Sequence, residues 1–168
     1  MYLILKTILK TVKIINIIFL FCAFFLILLS IFAYDFTLIA ITFHFIIIYY
    51  IGVIGSFIIH EWAHFKLLDY LKIPYFLDVK PWRMSFVTLK KMTPKVQIII
   101  SLSGPFFSGL IGFLLLFINY FLNSGIINFL AYLYLAHLLF LFPIFGDGRS
   151  ILHAIYNHFR RKKLDRSN

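Results

Sequence analysis

The sequence contains little of what a soluble protein of 168 residues needs. Charged residues make up 13% of the chain, acidic residues number six, and Glu61 is the only glutamate among them. Hydrophobic residues reach 62%, and the mean hydropathy is +0.98. A soluble domain of this size has too little interior to bury so much apolar surface. The composition therefore predicts an integral membrane protein, with residues 1–168 forming a single membrane-embedded domain.

Cysteine is almost absent as well. Cys22 is the only cysteine, which excludes an internal disulfide and a zinc site built from several thiolates. The net charge of +10 raises the question of a nucleic-acid partner. The basic residues form no stripe interleaved with aromatic residues, and the sequence has no nucleic-acid-binding motif. They flank apolar segments instead, so the lipid bilayer is the predicted partner and nucleic acid is not.

Four apolar stretches are each long enough to cross a bilayer, which takes about 20 residues. They cover residues 14–33, 36–59, 96–122 and 126–145. The breaks after the first and third stretches are very short and carry no basic residue, which predicts two helical hairpins. The predicted fold is therefore an all-α polytopic membrane protein with about four transmembrane helices. The first stretch is longer than the apolar core of a signal peptide and lacks an A-x-A site, so we expect an uncleaved anchor.

The basic residues predict the orientation in the membrane. They precede the first stretch, fill the segment between the second and third, and follow the fourth. They are Lys6, Lys10, Lys13, Lys66, Lys72, Lys80, Arg83, Lys90, Lys91, Lys95, Arg149, Arg160, Arg161, Lys162, Lys163 and Arg166. Four spans with a cytoplasmic N-terminus place all of them on one side, so we expect a cell-membrane protein with both termini cytoplasmic. Within the basic tail, residues 149–168, apolar residues at helical spacing predict an interfacial helix held by anionic lipid.

The segment between the second and third stretches differs from the rest of the chain. Residues 75–89 follow Pro74, include Pro81, and end in a run in which side chains alternate between apolar and polar. This pattern predicts a short cytoplasmic loop or β-hairpin at the membrane surface. Two roles remain open for it: a solvated connector, or a strand edge that holds an extended substrate.

The second stretch ends in His60-Glu61-Trp62-Ala63-His64, an HExxH pattern. Histidines four residues apart lie on one face of a helix and can bind the same metal ion. The glutamate between them can then serve as the general base toward a water molecule. An acidic side chain is costly near the membrane, so the position of this lone glutamate indicates a function.

A third ligand is predicted from depth in the membrane. The second and fourth stretches cross in the same direction, so Asp147, which follows the fourth, lies at the depth of His60 and His64. Two histidines and a carboxylate leave a fourth position free for water, as a catalytic zinc ion requires. His153 is the alternative third ligand because it follows the turn after Asp147. His137 lies about 15 Å before Asp147 along a helix, so we expect it to be an interior histidine rather than a ligand.

Small residues recur at steps of four on two stretches. Gly52 and Ser56 lead into the histidine pair, and Gly104, Ser108 and Gly112 follow one another on the third stretch. Such stripes let helices approach closely in lipid. We expect the first stripe to bring another span near the histidines, and the second to serve ordinary helix packing.

Three motifs together resemble one known family. Residues 60–64 resemble the first motif of the site-2 protease family of intramembrane zinc peptidases. Residues 101–105, Ser-Leu-Ser-Gly-Pro, are similar to that family's small-x-x-Gly-Pro element, and residues 143–148 to its segment ending in Asp-Gly. The resemblance covers residues 36–150 and includes no PDZ insertion. Phe140 stands where the family usually has asparagine, Arg149 replaces a frequent glycine, and the last motif is one residue shorter.

The resemblance implies a zinc metalloendopeptidase that hydrolyses a peptide bond in a membrane-anchored protein or a small peptide. It implies one Zn²⁺ per chain, held by His60, His64 and Asp147, with Glu61 as the catalytic base. Because Phe140 cannot donate a hydrogen bond, no residue is predicted to stabilise the oxyanion. Two other functions stay open: a zinc-bound but non-proteolytic membrane protein that holds a partner, and a small transporter subunit whose buried polar groups move ions.

Overall fold

The computed structural model describes residues 2–80, 83–89 and 92–164. Within these ranges the chain is mainly helical, and a two-stranded sheet divides it near the middle. The α-helices are α1 (Tyr2–Thr11), α2 (Lys13–Phe32), α3 (Phe36–Ile47), α4 (Gly55–Tyr70), α5 (Pro94–Leu122), α6 (Gly125–Leu135) and α7 (Gly146–Leu164). The strands are β1 (Tyr75–Lys80) and β2 (Arg83–Thr88). A π-helical segment (Ile48–Ile54) joins α3 to α4, and a 3₁₀ segment (Ala136–Leu141) follows α6.

Among the described residues, four helical stretches are long and apolar enough to cross a membrane: Lys13–Phe32, Phe36–Tyr70, Pro94–Leu122 and Gly125–Arg160. The predicted fold class, an all-α polytopic membrane protein with four spans, is confirmed. The second stretch continues to Tyr70, whereas the apolar run predicted an end at residue 59. Hydropathy marks where apolar side chains stop, but the polar residues that follow still favour a helix.

Both predicted hairpins are present. Tyr34 adopts a left-handed conformation (φ 52°) between α2 and α3, and the Asp35 side chain accepts hydrogen bonds from the backbone N–H groups of Thr37 and Leu38 at 2.9 and 3.2 Å. An aspartate at this position satisfies N–H groups that the first helical turn leaves free. Asn123 (φ 47°) ends α5 in the same conformation before α6 returns along it. Asparagine tolerates the left-handed region better than most residues, which explains the tight reversal.

The π-helical segment lies directly above the metal motif. Its wider turn leaves backbone carbonyls less regularly paired, and the Tyr134 hydroxyl donates a hydrogen bond to the Ile51 carbonyl at 3.2 Å. Tyr49 donates to Asn16 Oδ1 at 2.7 Å, which ties the segment to α2. The approach of α6 is close here, because a Cβ on Gly52 would meet the side chains of Leu130 and Leu133. The first small-residue stripe therefore brings α6 close to the π-helical segment that leads into α4.

Helix α5 is the central element of the bundle. It packs against α4, α6, α7 and the 3₁₀ segment, whereas α2 packs mainly against α3. Small side chains on α5 are buried where these neighbours meet it, while most large apolar side chains of the spans point outward. Outward apolar side chains are expected of helices whose solvent is lipid.

The predicted β-hairpin is confirmed for the described residues. Strands β1 and β2 pair antiparallel, with Tyr75 opposite Thr88 and Leu77 opposite Phe86. Pro81, the basic residues Lys90 and Lys91, and the last four residues, which include Arg166, lie outside the described residues. The Tyr75 hydroxyl donates to Asp69 Oδ1 at 3.0 Å, which ties the hairpin to the end of α4.

Helix α1 was not predicted from the sequence. It is ten residues long, too short to span, and it packs against α4 and the hairpin. Ile8 is buried there against Phe65, with Tyr75 and Leu77 around them. The burial of this small apolar face fixes the hairpin beside the helix that carries the metal motif.

Candidate metal centre

The two motif histidines lie on the buried face of α4. His60 is 3% exposed and His64 is 1% exposed. The 3.6-residue period places side chains four apart one above the other, and the two Nε2 atoms are 3.2 Å apart. Two imidazole lone pairs facing each other at this distance repel unless a cation or a proton lies between them.

Asp147 reaches the histidines because the fourth span is interrupted. Pro143 disfavours a helical conformation at the residue before it, and Phe142 is extended (φ −68°, ψ 145°). The chain then turns, with the Phe145 N–H donating to the Phe142 carbonyl at 3.0 Å, and α7 begins at Gly146. Asp147 therefore lies in the first turn of α7, where the partial positive charge of a helix N-terminus favours a carboxylate.

The residue after Asp147 is Gly148, and the space around it admits no side chain. A Cβ at this position would collide with the backbone carbonyl oxygens of Leu141 and Phe142. Only glycine lets the start of α7 approach the end of the 3₁₀ segment so closely. Asp147 thus supplies a candidate ligand, and Gly148 allows the close backbone approach that brings it to the histidines.

The three side chains place their ligand atoms in a compact triangle. His60 Nε2 lies 3.1 Å from Asp147 Oδ2, and His64 Nε2 lies 3.5 Å from Asp147 Oδ1. All candidate ligand atoms lie within 4.8 Å of one another. Three ligands at ordinary zinc–nitrogen and zinc–oxygen distances in a tetrahedral site are separated by about 3.3–3.5 Å. The residues present therefore fit a tetrahedral metal site with one open position.

A second layer of contacts orients His64. Its Nδ1 lies 2.7 Å from the Ile100 carbonyl oxygen and 3.1 Å from Ser103 Oγ. Ser103 donates its own hydroxyl to the same carbonyl at 2.7 Å, so we assign the His64 proton to Nδ1. Nε2 is then free to bind a metal, which is the usual arrangement of a ligating histidine.

Gly104 brings α5 directly against both rings. A Cβ on Gly104 would collide with His64 Nε2 and would lie 2.7 Å from His64 Cε1 and 2.9 Å from His60 Cε1. The expectation that the Gly104 stripe serves only ordinary helix packing is therefore wrong at this position. Farther along, Gly112 does serve packing, because its Cβ would meet Leu135 and the Ala131 carbonyl of α6.

The triangle opens into a cavity of about 530 Å³. Glu61 lines this cavity together with the three ligand residues, so the sole glutamate of the chain faces the same space as the metal site. Phe86 of β2 forms part of the wall, and Arg149 of α7 adds a cation to the lining. The arrangement brings a group able to hold a metal ion, a further carboxylate and an open cavity together in one place.

His153 lies elsewhere. It is exposed on α7, and its ring nitrogens contact Asn157 Nδ2 at 3.2 and 3.4 Å. Among the described residues, the group able to hold a metal ion is His60, His64 and Asp147, without His153. His44 is exposed on α3 and also lies outside this group.

No family model, curated protein or solved structure matches this chain. The resemblance to site-2 proteases therefore rests on the three motifs, which the fold brings to one place. The histidines come from the first motif, Gly104 from the second, and Asp147 and Gly148 from the third. Membership of that family stays a prediction.

Phe140, at the position of the family's asparagine, forms an apolar wall of the cavity. Its ring packs edge-on against His60, with centroids 5.2 Å apart, and lies 5.1 Å from the ring of Phe145. A phenyl ring offers no hydrogen bond to a developing oxyanion. Its contribution here is to pack against a ligand ring and to exclude water from one side.

His137 is buried and lies outside the candidate ligand group, as predicted, but it lies closer to that group than a continuous helix would place it. Its Nδ1 lies 3.2 Å from His60 Nδ1, although a continuous helix would separate it from Asp147 by about 15 Å. The 3₁₀ segment and the turn after Phe142 break that helix and fold Asp147 back toward it. Pro143 was the available signal, since a proline interrupts a helix at the residue before it.

The ligand assignment predicts the effect of removing Asp147. Loss of an outer hydrogen bond to a metal ligand lowers metal affinity about 10–100-fold. Asp147→Ala removes a candidate ligand itself, so it should lower zinc affinity by more than that. Zinc per purified chain, measured by atomic emission, checks this. His153→Ala is the matched control on the same helix and should bind zinc as the wild type does. The opposite result, zinc lost only in His153→Ala, would move the third ligand to His153.

Proposed function

We propose that this protein is a zinc-dependent endopeptidase that cleaves a membrane-anchored protein or a small peptide at the membrane. One observation supports the proposal above the others. Two buried histidines have their Nε2 atoms 3.2 Å apart and lie 3.1 and 3.5 Å from separate oxygens of the Asp147 carboxylate, beside a cavity that Glu61 also lines. Three protein ligands with an open position distinguish catalytic from structural zinc sites.

The residues divide the chemistry of hydrolysis between them. His60, His64 and Asp147 would hold the metal, which when bound makes water acidic and polarises a carbonyl. Glu61 accepts a proton from water as the water oxygen bonds to the peptide carbon. It then gives that proton to the amine as the carbon–nitrogen bond breaks. The apolar wall around Phe140 limits bulk water, which strengthens each of these electrostatic interactions.

The hairpin is the proposed contact for the substrate backbone. A transmembrane helix hides its peptide groups, so a substrate segment must be extended before it can be hydrolysed. Phe86 of β2 lines the cavity, and in the described residues the sheet has two strands only, so an extended segment can add along its edge. This supports a strand-like mode of substrate binding beside the metal centre.

We also propose the orientation in the membrane. The distribution of the sixteen lysines and arginines supports a cell-membrane protein with both termini, the hairpin and the open side of the site facing the cytoplasm. Water and product would then exchange with the cytoplasm.

Phe140 supports one alternative, a zinc-bound protein that holds a partner without cleaving it. The phenyl ring occupies the wall next to His60 and supplies no donor for an oxyanion. Removal of one such donor costs other hydrolases about 10²–10³-fold in rate. Slow or absent turnover at an intact metal site is the expectation of this alternative.

Metal removal separates these functions. The purified protein in lipid vesicles is incubated with a panel of single-span peptides and short peptides, and products are identified by mass spectrometry. We expect cleavage that 1,10-phenanthroline abolishes and that stoichiometric Zn²⁺ restores. Stoichiometric zinc without any cleaved peptide would favour the partner-holding function. If the protein binds no zinc, both the peptidase and the partner-holding functions are excluded, and the transporter subunit is the function that stays open.

A further inference from the structure

His137 is a buried histidine that the proposed reaction does not use. It is 4% exposed and belongs to the 3₁₀ segment between α6 and α7. Its ring lies beside that of His60, with centroids 4.9 Å apart and planes inclined by 36°. The shortest contact joins the two Nδ1 atoms at 3.2 Å, on the side of His60 away from Asp147.

The geometry allows one assignment of protons when a metal is bound. A ligating His60 must present the lone pair of Nε2, which faces His64 and Asp147, so its proton is on Nδ1. That N–H donates to His137 Nδ1, and His137 must therefore carry its own proton on Nε2. Among the described residues, His137 is the hydrogen-bond partner of His60 Nδ1.

We propose that His137 is a positioning residue for the metal centre, fixing the tautomer and the ring orientation of His60 through an Nδ1 to Nδ1 hydrogen bond. The inference rests on the proposed function only in requiring that the site binds a metal. His64 obtains the same support from the Ile100 carbonyl. Each candidate ligand histidine thus has an outer acceptor at Nδ1, the Ile100 carbonyl for His64 and the His137 ring for His60.

Two aromatic rings hold His137 in place. Phe57 of α4 packs edge-on against it, with centroids 4.9 Å apart, and Phe140 does so at 5.0 Å. A 3₁₀ helix has three residues per turn, so residues 137 and 140 project from the same face. Phe140 therefore contacts both histidines, and the residue at the family's asparagine position serves to immobilise this pair.

The test compares two substitutions at His137 with one elsewhere. His137→Leu removes the acceptor and keeps an apolar side chain in the space. His137→Asn places an acceptor oxygen near the position of Nδ1. His44→Leu makes the same exchange at an exposed histidine of α3, outside the metal group. Cobalt(II) is the probe, since its visible absorption reports ligand geometry, and competition with zinc gives the affinity.

We expect His137→Leu to weaken metal binding by about 10–100-fold, the usual effect of losing an outer hydrogen bond to a ligand. The cobalt spectrum should shift as His60 loses its fixed orientation. His137→Asn should restore most of the affinity, and His44→Leu should match the wild type. Recovery in the asparagine variant separates a hydrogen-bonding role from simple filling of space.

Three results would overturn the inference. Metal affinity of His137→Leu within about twofold of the wild type would show that His60 needs no outer acceptor. Equal loss in the leucine and asparagine variants would assign His137 to packing alone. If the wild-type protein binds neither cobalt nor zinc, the proposed function fails together with the inference. The first two results would contradict only the role of His137.

Discussion

Replacement of Glu61 by glutamine should reduce peptide hydrolysis by about 10²- to 10⁴-fold and leave the zinc content unchanged. Glutamine has the size of glutamate but cannot accept the proton of the attacking water, and positioned acid–base groups contribute rate factors of this order. The ligand triangle consists of His60, His64 and Asp147, so removal of the carboxylate at residue 61 takes no atom from it. Single-turnover cleavage, measured together with zinc per chain, checks both parts.

The matched control exchanges another acid on the same helix. Asp69 is exposed at the end of α4, and its side chain accepts a hydrogen bond from Tyr75, which asparagine can also accept. Asp69→Asn should cleave at the wild-type rate. Normal cleavage by zinc-loaded Glu61→Gln would remove Glu61 as the base. Loss of zinc from that variant would instead place residue 61 among the metal ligands.

The sequence predicted well those elements that depend only on the length and order of apolar and polar runs along the chain. The length of an apolar run sets a span, and a short polar break sets a hairpin, so four helical stretches follow from composition alone. The convergence of Asp147 on the histidines also follows, because depth in a bilayer is nearly proportional to position along a span. The short distances within the triangle bear out that reasoning about depth.

The features that sequence missed have three separate physical causes. His137 is an interior residue outside the ligand group, as predicted, but counting 1.5 Å per residue put it too far from Asp147. The count fails because the chain changes to a 3₁₀ helix and turns at Phe142. The end of α4 was missed because a helix continues beyond its apolar run. Helix α1 was missed because its burial comes from α4 and the hairpin, which are distant in sequence.

Gly104 carries the largest expected structural effect. Gly104→Ala should lower zinc affinity by about 5- to 150-fold, because the added methyl group collides with His64 Nε2 and crowds Cε1 of both rings. Overpacking a tight contact costs about 1–3 kcal/mol, and each 1.4 kcal/mol is a factor of ten in affinity. The nearest atoms include a ligand atom, so the strain falls on metal binding rather than on the helix, which alanine itself favours. Zinc affinity by competition with a chromogenic chelator measures the effect.

Gly112 offers the control that separates this local clash from general packing in lipid. It lies about 12 Å farther along α5 at 1.5 Å per residue, and its Cβ would meet Leu135 and the Ala131 carbonyl instead of the histidines. Gly112→Ala should therefore lower the thermal stability of the bundle and leave zinc affinity unchanged. Gly104→Ala should lower zinc affinity and leave the thermal stability of the bundle unchanged. If both variants lose zinc to the same extent, the metal centre depends on the α5–α6 packing as a whole. Unaltered zinc affinity in Gly104→Ala would mean that His64 can move aside, and the rigid approach of α5 to both imidazoles would have to be abandoned.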